Sequence, residues 1–513
     1  MLKNGGRVNR KKKSLNSFSP PKIGTFGEIY SVLSAQQIEQ INKAALIVLR
    51  ETGIKSPHPD VLDAALNNGC CIDNDNRLLF PTSLVEDIIA GAGRNFILHG
   101  QIEKHNIELS SGHVHFATGG AAVNILDSQS GQYRPSTLHD LFDIARIVNE
   151  LDNIQWFARP VVATDISDAR ALDLNTVYAC ATGCTKHLGT SISHHEHVTD
   201  IIKLLDCLMG EDGYFKKTPF LSVHATTIVS PLTFAEDSSA VAIAAARQGM
   251  PILSQTGPQA GATSPAALAG TLVQCVAESL GALVAINLIN KGHPVICSGW
   301  PFVSDLRTGS FTGGSGEQAL LSAGHAQMMR YYDLPTGVPA GMTDSKVLDN
   351  QSGYEKALTV MMAAYSGADF VYESAGMTAS LMGCSLESFV IDNEMINSIR
   401  RTMHGINVDD TSLSVEVIDQ ACRGEGHYLG NNQTLELMGT EFIYPILASR
   451  ESIDDWQRNG CKDINERAKT KVREILSTSY PSHIKIDQDD IVREKFDILL
   501  NKSFVRNENN QGE

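Results

Sequence analysis

Long apolar runs, excess positive charge and aromatic residues are all scarce in this sequence of 513 residues. Polar or charged residues interrupt the apolar stretches before they reach the roughly 18 residues that span a bilayer, so we predict no membrane partner. Asp and Glu number 58 against 42 Lys and Arg, which gives a formal net charge of −16. Because nucleic acid binds positively charged surfaces, this balance argues against a nucleic-acid partner.

An apolar leader and a zinc-ribbon cysteine pattern are also missing. Residues 1–25 carry the one basic cluster without the apolar core of a signal peptide, so we predict a disordered basic tail; a transit peptide is the alternative. The ten cysteines are scattered, and Cys180 and Cys184 are one helical turn apart, a spacing that favours core packing. Reduced thiols without a secretion signal predict a cytoplasmic protein.

What the sequence does contain is a pattern that recurs eight times between His113 and Ser374. Each unit is a short apolar or β-branched run, then polar and Gly-rich residues, then an amphipathic helical stretch. The period predicts an α/β fold, a (β/α)₈ TIM barrel, whose functional residues lie at the carboxyl ends of the strands. A run begins roughly every 36 residues, near His115, Ile154, His187, Phe220, Pro251, Pro294, Thr336 and Asp369.

A doubly wound open sheet has the same alternation and is the alternative fold. Two observations favour the barrel: eight is the number of units that closes it, and no G-x-G-x-x-G motif follows the first run. Runs such as "FLSVHATTIV", from Phe220, are nearly continuous in apolar and β-branched residues, which is typical of strands buried on both faces.

The remaining residues predict two additions to the barrel. Residues 26–112 hold three helical patterns and an alternating, turn-containing stretch, which together predict an N-terminal helical cap with a hairpin. We assign residues 113–400 to the barrel. Residues 401–513, with the charged helical pattern from Cys461 to Tyr480, form a predicted C-terminal helical extension.

Two loops carry candidate sites, and each of these also has a purely structural explanation. His194, His195 and His197 follow the third strand and are the residue types that bind zinc in a hydrolase, but adjacent imidazoles diverge, and capping of the next helix is the alternative. The Gly-rich loop with Gly313 and Gly314 presents backbone N–H groups that could hold an anion; a flexible loop that enters a helix explains it as well.

Polar and aromatic side chains stand at several predicted strand ends. Asp344 and Lys346 are two residues apart after the seventh strand, so both are expected to point to the same side, where an internal ion pair is the alternative role. Aromatic residues near strand ends suit a cage for a cation, although most aromatics are core. The other candidates at strand ends are His224, Gln255, Trp300, Phe302, Tyr372 and Glu373.

Four strings give the chain a resemblance that is not generic to barrels. From about Leu33 to Gly460, it resembles the trimethylamine methyltransferase family of corrinoid-dependent methyltransferases. The strings are "FATGGAAVNILDSQSGQYRPSTLHDL", "GMTDSKVLDNQSGYEK", "YESAGMTASLMGCSLESFVIDNEM" and "GEGHYLGNNQTLELMGTEFIYP". The resemblance implies a (β/α)₈ barrel that moves a methyl group from a methylated amine to the cobalt of a separate corrinoid protein.

One departure bears on the substrate. The founding members of the family carry pyrrolysine, whereas every residue here is standard. Relatives without pyrrolysine act on quaternary amines such as glycine betaine, proline betaine or carnitine. A quaternary nitrogen is already positively charged and leaves as a neutral amine without a general acid. The resemblance therefore points to the pyrrolysine-lacking branch, similar to glycine betaine methyltransferase.

Positions at the strand ends then predict the roles of single residues. Glu373 and Asp344 are the expected catalytic, electrostatic partners of the cation, and Lys346 or Arg159 is expected to pair with a substrate carboxylate. Predicted substrate-binding residues are Trp300, Phe302, Tyr372, His224, Gln255, Arg159, Lys346 and Tyr354. Predicted contacts with the corrinoid are Gly119, Gly120, Gly313, Gly314, His427 and Tyr428.

The expected partners are a cognate corrinoid protein, a small methylated amine and further copies of the chain in a homo-oligomer. The corrinoid is expected as the cargo of the partner protein, with no tightly bound metal in this chain. Two alternatives stay open. One is a metal-dependent hydrolase that uses His194, His195 and His197, and the other is a barrel that binds quaternary amines without catalysis.

Overall fold

The computed structural model describes residues 25–26, 30–109 and 112–505. Of the tail predicted for residues 1–25, all but Thr25 lies outside the described residues. Thr25–Phe26 forms a two-residue strand that pairs antiparallel with Val114 and His113.

Eight short strands of the described chain form the centre of an α/β fold, each followed by a helix. Their sequence explains their burial, because they are short runs of apolar and small residues without room for a charged face. They are β1 (His113–Phe116), β2 (Trp156–Ala158), β3 (His187–Thr190), β4 (Leu221–Ala225), β5 (Ile252–Thr256), β6 (Val295–Gly299), β7 (Gly337–Pro339) and β8 (Phe370–Tyr372).

The strands pair in parallel in the order of the sequence. β2 to β6 form one sheet, and β7, β8 and β1 form another, with β8 paired to β1. Two isolated parallel bridges connect the sheets: Ala117, just after β1, with Trp156 of β2, and Cys297 of β6 with Thr336, just before β7. Each strand therefore lies beside its neighbours in sequence.

The helices that follow the strands match the helical patterns of the sequence. Thr137 caps α1 in a capping box with Asp140, and α1 buries Leu141, Ile144 and Val148 along one face. The eight helices are α1 (Leu138–Asn149), α2 (Ala169–Gly183), α3 (His197–Met209), α4 (Glu236–Gln248), α5 (Leu268–Ile289), α6 (Gly316–Tyr331), α7 (Asn350–Tyr365) and α8 (Leu386–Met403).

Two separate apolar clusters distinguish the two faces of the strands. The larger cluster contains Val223, Val338 and Val371 and packs the strands against the helices. The smaller one, here called the inner cluster, takes the alternate strand residues. It consists of Leu98, Ile107, Leu109, Ala117, Trp156, Ala158, Leu253, Ile296, Phe370 and Tyr372.

A predicted hairpin is present and lies at the amino ends of the strands. Ile97–Leu98 pairs antiparallel with Ile107–Glu108, and Leu98 and Ile107 enter the inner cluster. The carbonyl of His99 contacts Nδ1 of His187, the first residue of β3, at 2.8 Å. The inner cluster is therefore covered at this end.

Helices precede and follow this centre. Before β1 lie Ala35–Ile47, the π-helix Val48–Thr52, Pro59–Leu66 and Thr82–Gly91, with the short strands Ile54–Lys55, Cys71–Ile72 and Arg77–Leu79. After α8 lie Val415–Arg423, Asn432–Leu437, Ile453–Arg458, Ile464–Thr478, Ile486–Lys495 and Lys502–Val505.

Small strands build up the loops at the carboxyl ends. Asn124–Leu126 and Tyr133–Pro135 form a hairpin in the β1–α1 loop, and Gly383–Cys384, from the β8–α8 loop, extends it in parallel. Further short strands of the described chain are Ile228–Val229, Thr233–Phe234, Gln259–Ala260, Phe302–Asp305, Ser310–Thr312 and Met377–Thr378.

Helix α5 qualifies the expectation that apolar runs are too short to span a membrane. Within the described residues it is the one helix long and apolar enough to do so. Most of it is buried, and Leu280, Val284 and Ile286 belong to the large apolar cluster. The burial explains its composition as that of a core helix.

An ion pair between α7 and α8 gives a test of the packing. Lys356 Nζ lies 2.7 Å from a carboxylate oxygen of Asp392, which also accepts the N–H of Gly376, and both side chains are buried. Replacing Lys356 by Met leaves Asp392 without its buried cation. We expect Lys356→Met to lower the free energy of unfolding by about 3–5 kcal/mol, measured by urea denaturation.

The control is Lys203→Met. Lys203 is 65% exposed in its side chain and lies 3.8 Å from Asp200, so its loss should change stability by less than about 1 kcal/mol. Equal effects of the two substitutions would contradict the importance of the buried pair.

Candidate functional site

Glu373 is the most unusual charged residue at the carboxyl ends of the strands. It directly follows β8, it is 0% exposed, and neither carboxylate oxygen has a hydrogen-bond partner among the described residues. Burial raises the pKa of this carboxyl to about 8. Its backbone has a φ of +59°, a strained conformation for a residue with a side chain.

Aromatic rings of the inner cluster extend from the residue next to Glu373. The Tyr372 ring lies 5.1 Å from the Trp156 ring and 6.3 Å from the Trp300 ring, measured between centroids. Phe302 packs 6.0 Å from Trp300, whose indole N–H donates to Ser298 Oγ at 2.6 Å. The structure therefore brings Trp300, Phe302 and Tyr372 together as the sequence predicted.

Several polar atoms among these rings have no partner in the described part of the chain. They include Trp156 Nε1, Tyr372 Oη, and the Nε2 atoms of His224 and His187. Burial, followed by the charge of Arg159, lowers the pKa of His224 to about 3, so this imidazole is neutral at pH 7. Unpartnered buried polar atoms cost stability, and their grouping indicates a place for a ligand or water.

Two glycines permit the close packing around these groups. A Cβ on Gly119 would lie 3.4 Å from Glu373 Cγ, and φ at Gly119 is +153°. A Cβ on Gly189 would lie 2.3 Å from His224 Nε2 and 2.8 Å from Trp156 Nε1. Gly119 thus borders Glu373, and a side chain at Gly189 would displace the imidazole.

Asp344 makes contacts with two neighbouring loops that the sequence did not predict. Its carboxylate accepts the N–H of Gly313 and the hydroxyl of Ser380, each at 2.7 Å. These residues belong to the loops after β6 and β8, whereas Asp344 belongs to the loop after β7. Asp344 therefore ties three loops together, and the structure gives no support to its role as a partner of the substrate cation.

Lys346 and Tyr354 do not join the inner residues. Lys346 is exposed, and its ammonium donates to the backbone carbonyl of Asp344 at 2.7 Å, so the two side chains make no ion pair. Tyr354 lies on the outer side of α7 and is 63% exposed. Substrate binding by either residue would require contacts that the structure does not have.

Gln255 and Arg159 lie at the carboxyl ends, partly buried. Gln255 is the fourth residue of β5 and shares the strand face of Leu253 in the inner cluster. Arg159 follows β2 directly, and its guanidinium donates to Ser191 Oγ at 2.8 Å. Burial lowers the pKa of Arg159.

The six predicted corrinoid contacts fall in three places. Gly119 and Gly120 lie at the end of β1, where a Cβ on Gly120 would collide with Met377. Gly313 and Gly314 are buried beside the carboxylates of Asp344 and Glu355, which argues against an anion cradle there. His427 and Tyr428 are exposed in the C-terminal segment, where His427 lies 3.4 Å from Glu425.

The His194, His195 and His197 group does not form a metal centre. His197 Nδ1 lies 2.7 Å from the Asp173 carboxylate, and His195 faces Glu196 at the surface. Across residues 25–26, 30–109 and 112–505, no three His, Cys, Asp or Glu side chains converge as metal ligands. The hydrolase alternative therefore has no geometric support.

Trp156, His187 and Gly189 were missed as site residues from the sequence. Their signal was the alternation within a strand: His187 and Gly189 share one face of β3, and polar or small residues on a buried strand face mark the inner side. The prediction considered only residues at the ends of strands, so it did not include these three.

Known proteins define the class of this chain. It is similar to trimethylamine methyltransferase MttB of Methanosarcina thermophila, with 30% identity over 469 residues that cover 89% of this chain and 95% of the relative. It is 28% identical to glycine betaine methyltransferase of Desulfitobacterium hafniense (strain Y51), over 88% of this chain and 93% of the relative. This chain is thus a methyltransferase.

The particular family follows from a sequence profile described as trimethylamine methyltransferase (MTTB), which matches residues 3–497. The chain belongs to the trimethylamine methyltransferase family, and the resemblance stated from its motifs is confirmed. In fold, it is similar to the crystal structure of Methanosarcina barkeri monomethylamine methyltransferase (MtmB), with a TM-score of 0.50 and 13% identity over 89% of this chain and 90% of that chain.

The pKa of Glu373 predicts a pH-dependent stability. Between its ordinary value of 4.5 and about 8, the folded protein holds a proton that the unfolded chain has released, so stability falls as pH rises through this window. Glu373→Gln removes that proton exchange. We expect the free energy of unfolding of the wild type, relative to Glu373→Gln, to decrease from pH 5 to pH 8.

Urea denaturation at pH 5, 6.5 and 8 measures this difference. Parallel curves for the two proteins would show that the carboxyl ionises normally in the folded state.

Proposed function

We propose that this protein transfers a methyl group from a methylated, positively charged amine to the Co(I) of a corrinoid carried by a separate protein. The observation that carries the proposal is the buried Glu373 carboxyl, which has no partner within the described residues and directly follows Tyr372, whose ring packs among other aromatic rings. A quaternary amine such as glycine betaine, the substrate named for one relative, is the proposed substrate.

Physical chemistry explains why a quaternary ammonium suits this carboxyl. Such a cation has no N–H to donate, so it needs charge and aromatic faces rather than hydrogen bonds. Its approach favours the ionised form of Glu373, because a nearby positive charge opposes the effect of burial. Trp300, Phe302 and Tyr372 are the proposed walls, with Gln255 beside them.

The reaction needs no proton donor. The N–CH₃ bond breaks, its electron pair stays on nitrogen, and the amine leaves neutral. The methyl carbon forms its new bond with the electron pair of Co(I), and the product is methyl-Co(III). The role of this chain is to hold nitrogen, carbon and cobalt in line and to exclude water, and positioning can supply up to roughly 7–11 kcal/mol of such a barrier.

We also infer a closed (β/α)₈ barrel over residues 113–400, with residues 26–112 as a cap and residues 401–513 as an extension. The two parallel bridges between the sheets and the separate inner cluster support closure. The amino ends are covered by the hairpin, so the corrinoid protein is proposed to dock at the carboxyl ends. A cytoplasmic homo-oligomer remains the proposed setting, without a resident metal.

Glu373→Gln tests the function. The substitution keeps the shape and removes the charge, so we expect methyl transfer from glycine betaine to fall by at least about tenfold in kcat/KM. Formation of the methyl-cobalt spectrum with a Co(I) corrinoid protein is the measurement. The matched control is Glu416→Gln on the exposed helix Val415–Arg423, which should keep wild-type rates.

The proposed methyl transfer would be wrong if the wild type turned over no quaternary amine. If the wild type binds these amines without turnover, the protein is instead a barrel that binds quaternary amines without catalysis. Unchanged kinetics of Glu373→Gln would remove Glu373 from the site.

A further inference from the structure

Three unpartnered buried groups, one of them on the residue before Glu373, are suited to donate hydrogen bonds rather than accept them. The indole N–H of Trp156 can only donate. Burial raises the pKa of the Tyr372 phenol well above its usual value, so the group keeps its proton. His224 is neutral and donates in the tautomer with hydrogen on Nε2. Within the described part of the chain, none of the three atoms has an acceptor.

The three side chains form one compact group. Ring centroids lie 5.1 Å apart for Trp156 and Tyr372, 5.8 Å for Trp156 and His224, and 5.9 Å for His224 and Tyr372. The nitrogens of Trp156 and His224 both approach Gly189, which has no side chain to separate them. The two nitrogens, from β2 and β4, are therefore close enough to share one small acceptor, and the ring of Tyr372 from β8 packs against both side chains.

The electrostatics of this group favour a negatively charged acceptor. Arg159 is near enough for its charge to lower the pKa of His224, after burial, and its guanidinium donates to the neutral hydroxyl of Ser191. No ion pair joins Arg159 to a carboxylate in the described ranges. A positive charge and three donors without acceptors complement an anion.

On these grounds, and resting on the proposed function, we propose that Trp156, His224 and Tyr372 bind a carboxylate of the same substrate whose ammonium lies at Glu373. The site then selects zwitterionic amines, which carry both charges, over cations that carry an ammonium alone. Glu373 lies on the same inner side as this group, because the position of a Cβ on Gly119 is 3.4 Å from Glu373 Cγ and 3.9 Å from the Cβ of Ala158, which belongs to the inner cluster with Trp156 and Tyr372.

Tyr372→Phe separates the two halves of the site. It removes one donor and keeps the ring that faces the cation. We expect the dissociation constant of glycine betaine to rise by at least about tenfold, since the carboxylate loses a buried hydrogen bond. The dissociation constant of tetramethylammonium, which has no carboxylate, should change by less than about twofold. Isothermal titration calorimetry on the full chain measures both.

Trp156→Phe is the second variant and should give the same pattern, because it removes an N–H and keeps an aromatic ring. Tyr30→Phe is the matched control: it removes the same hydroxyl from a tyrosine that is 44% exposed and outside the candidate site, and both ligands should bind as in the wild type.

The outcomes distinguish this inference from the proposed function. Selective loss of glycine betaine binding supports the carboxylate site. If the substitutions weaken binding of both ligands equally, or of neither, the carboxylate site is wrong and the donors bind water. Methyl transfer by the wild type would still support the proposed function in that case. If the wild type binds neither ligand, the inference and the proposed function fail together.

Discussion

The structure around the carboxyl ends depends on one constraint, the removal of the Glu373 carboxyl from water without a partner. Moving an ionised carboxylate into a protein interior costs several kcal/mol, so this group is stable there only as a neutral acid or beside a cation. Gly119 packs against its side chain, and Tyr372 and Ala158 fill the inner cluster beside it. A buried carboxyl of this kind is stabilised in its ionised form by a nearby positive charge.

Sequence reasoning succeeded where strand periodicity applied. Repeated apolar runs predicted all eight parallel strands, and the residues at or just beyond their ends included Trp300 and Tyr372, whose rings the structure groups. It failed where the chain had already left the strand. β7 ends at Pro339, so the alternation that was to place Asp344 and Lys346 on one side does not reach them. Tyr354 is farther still, on the outer side of α7.

The residues that the sequence did not predict come together through strand pairing. Trp156 and His187 begin their strands rather than end them, and only the register shows that they face each other across β2 and β3. Their ring centroids lie 4.9 Å apart. Such contacts between distant segments follow from strand pairing, which a single sequence does not specify. The polar residues within buried strands were the available signal.

The other acids in the loops at the carboxyl ends differ from Glu373 because they have hydrogen-bond partners. Asp344 is bound to Gly313 and Ser380, and Glu355 accepts the hydroxyl of Thr343 and the N–H of Asp344. Neutral donors occupy both oxygens of Glu355 and Oδ1 of Asp344, and these bonds fix the loops after β6, β7 and β8 relative to one another. A carboxylate with such partners is stabilised without a cation, whereas the Glu373 carboxyl has no partner among the described residues. Of the three acids, Glu373 is therefore the one whose ionised form a nearby cation stabilises most, while the other two hold the loops in place.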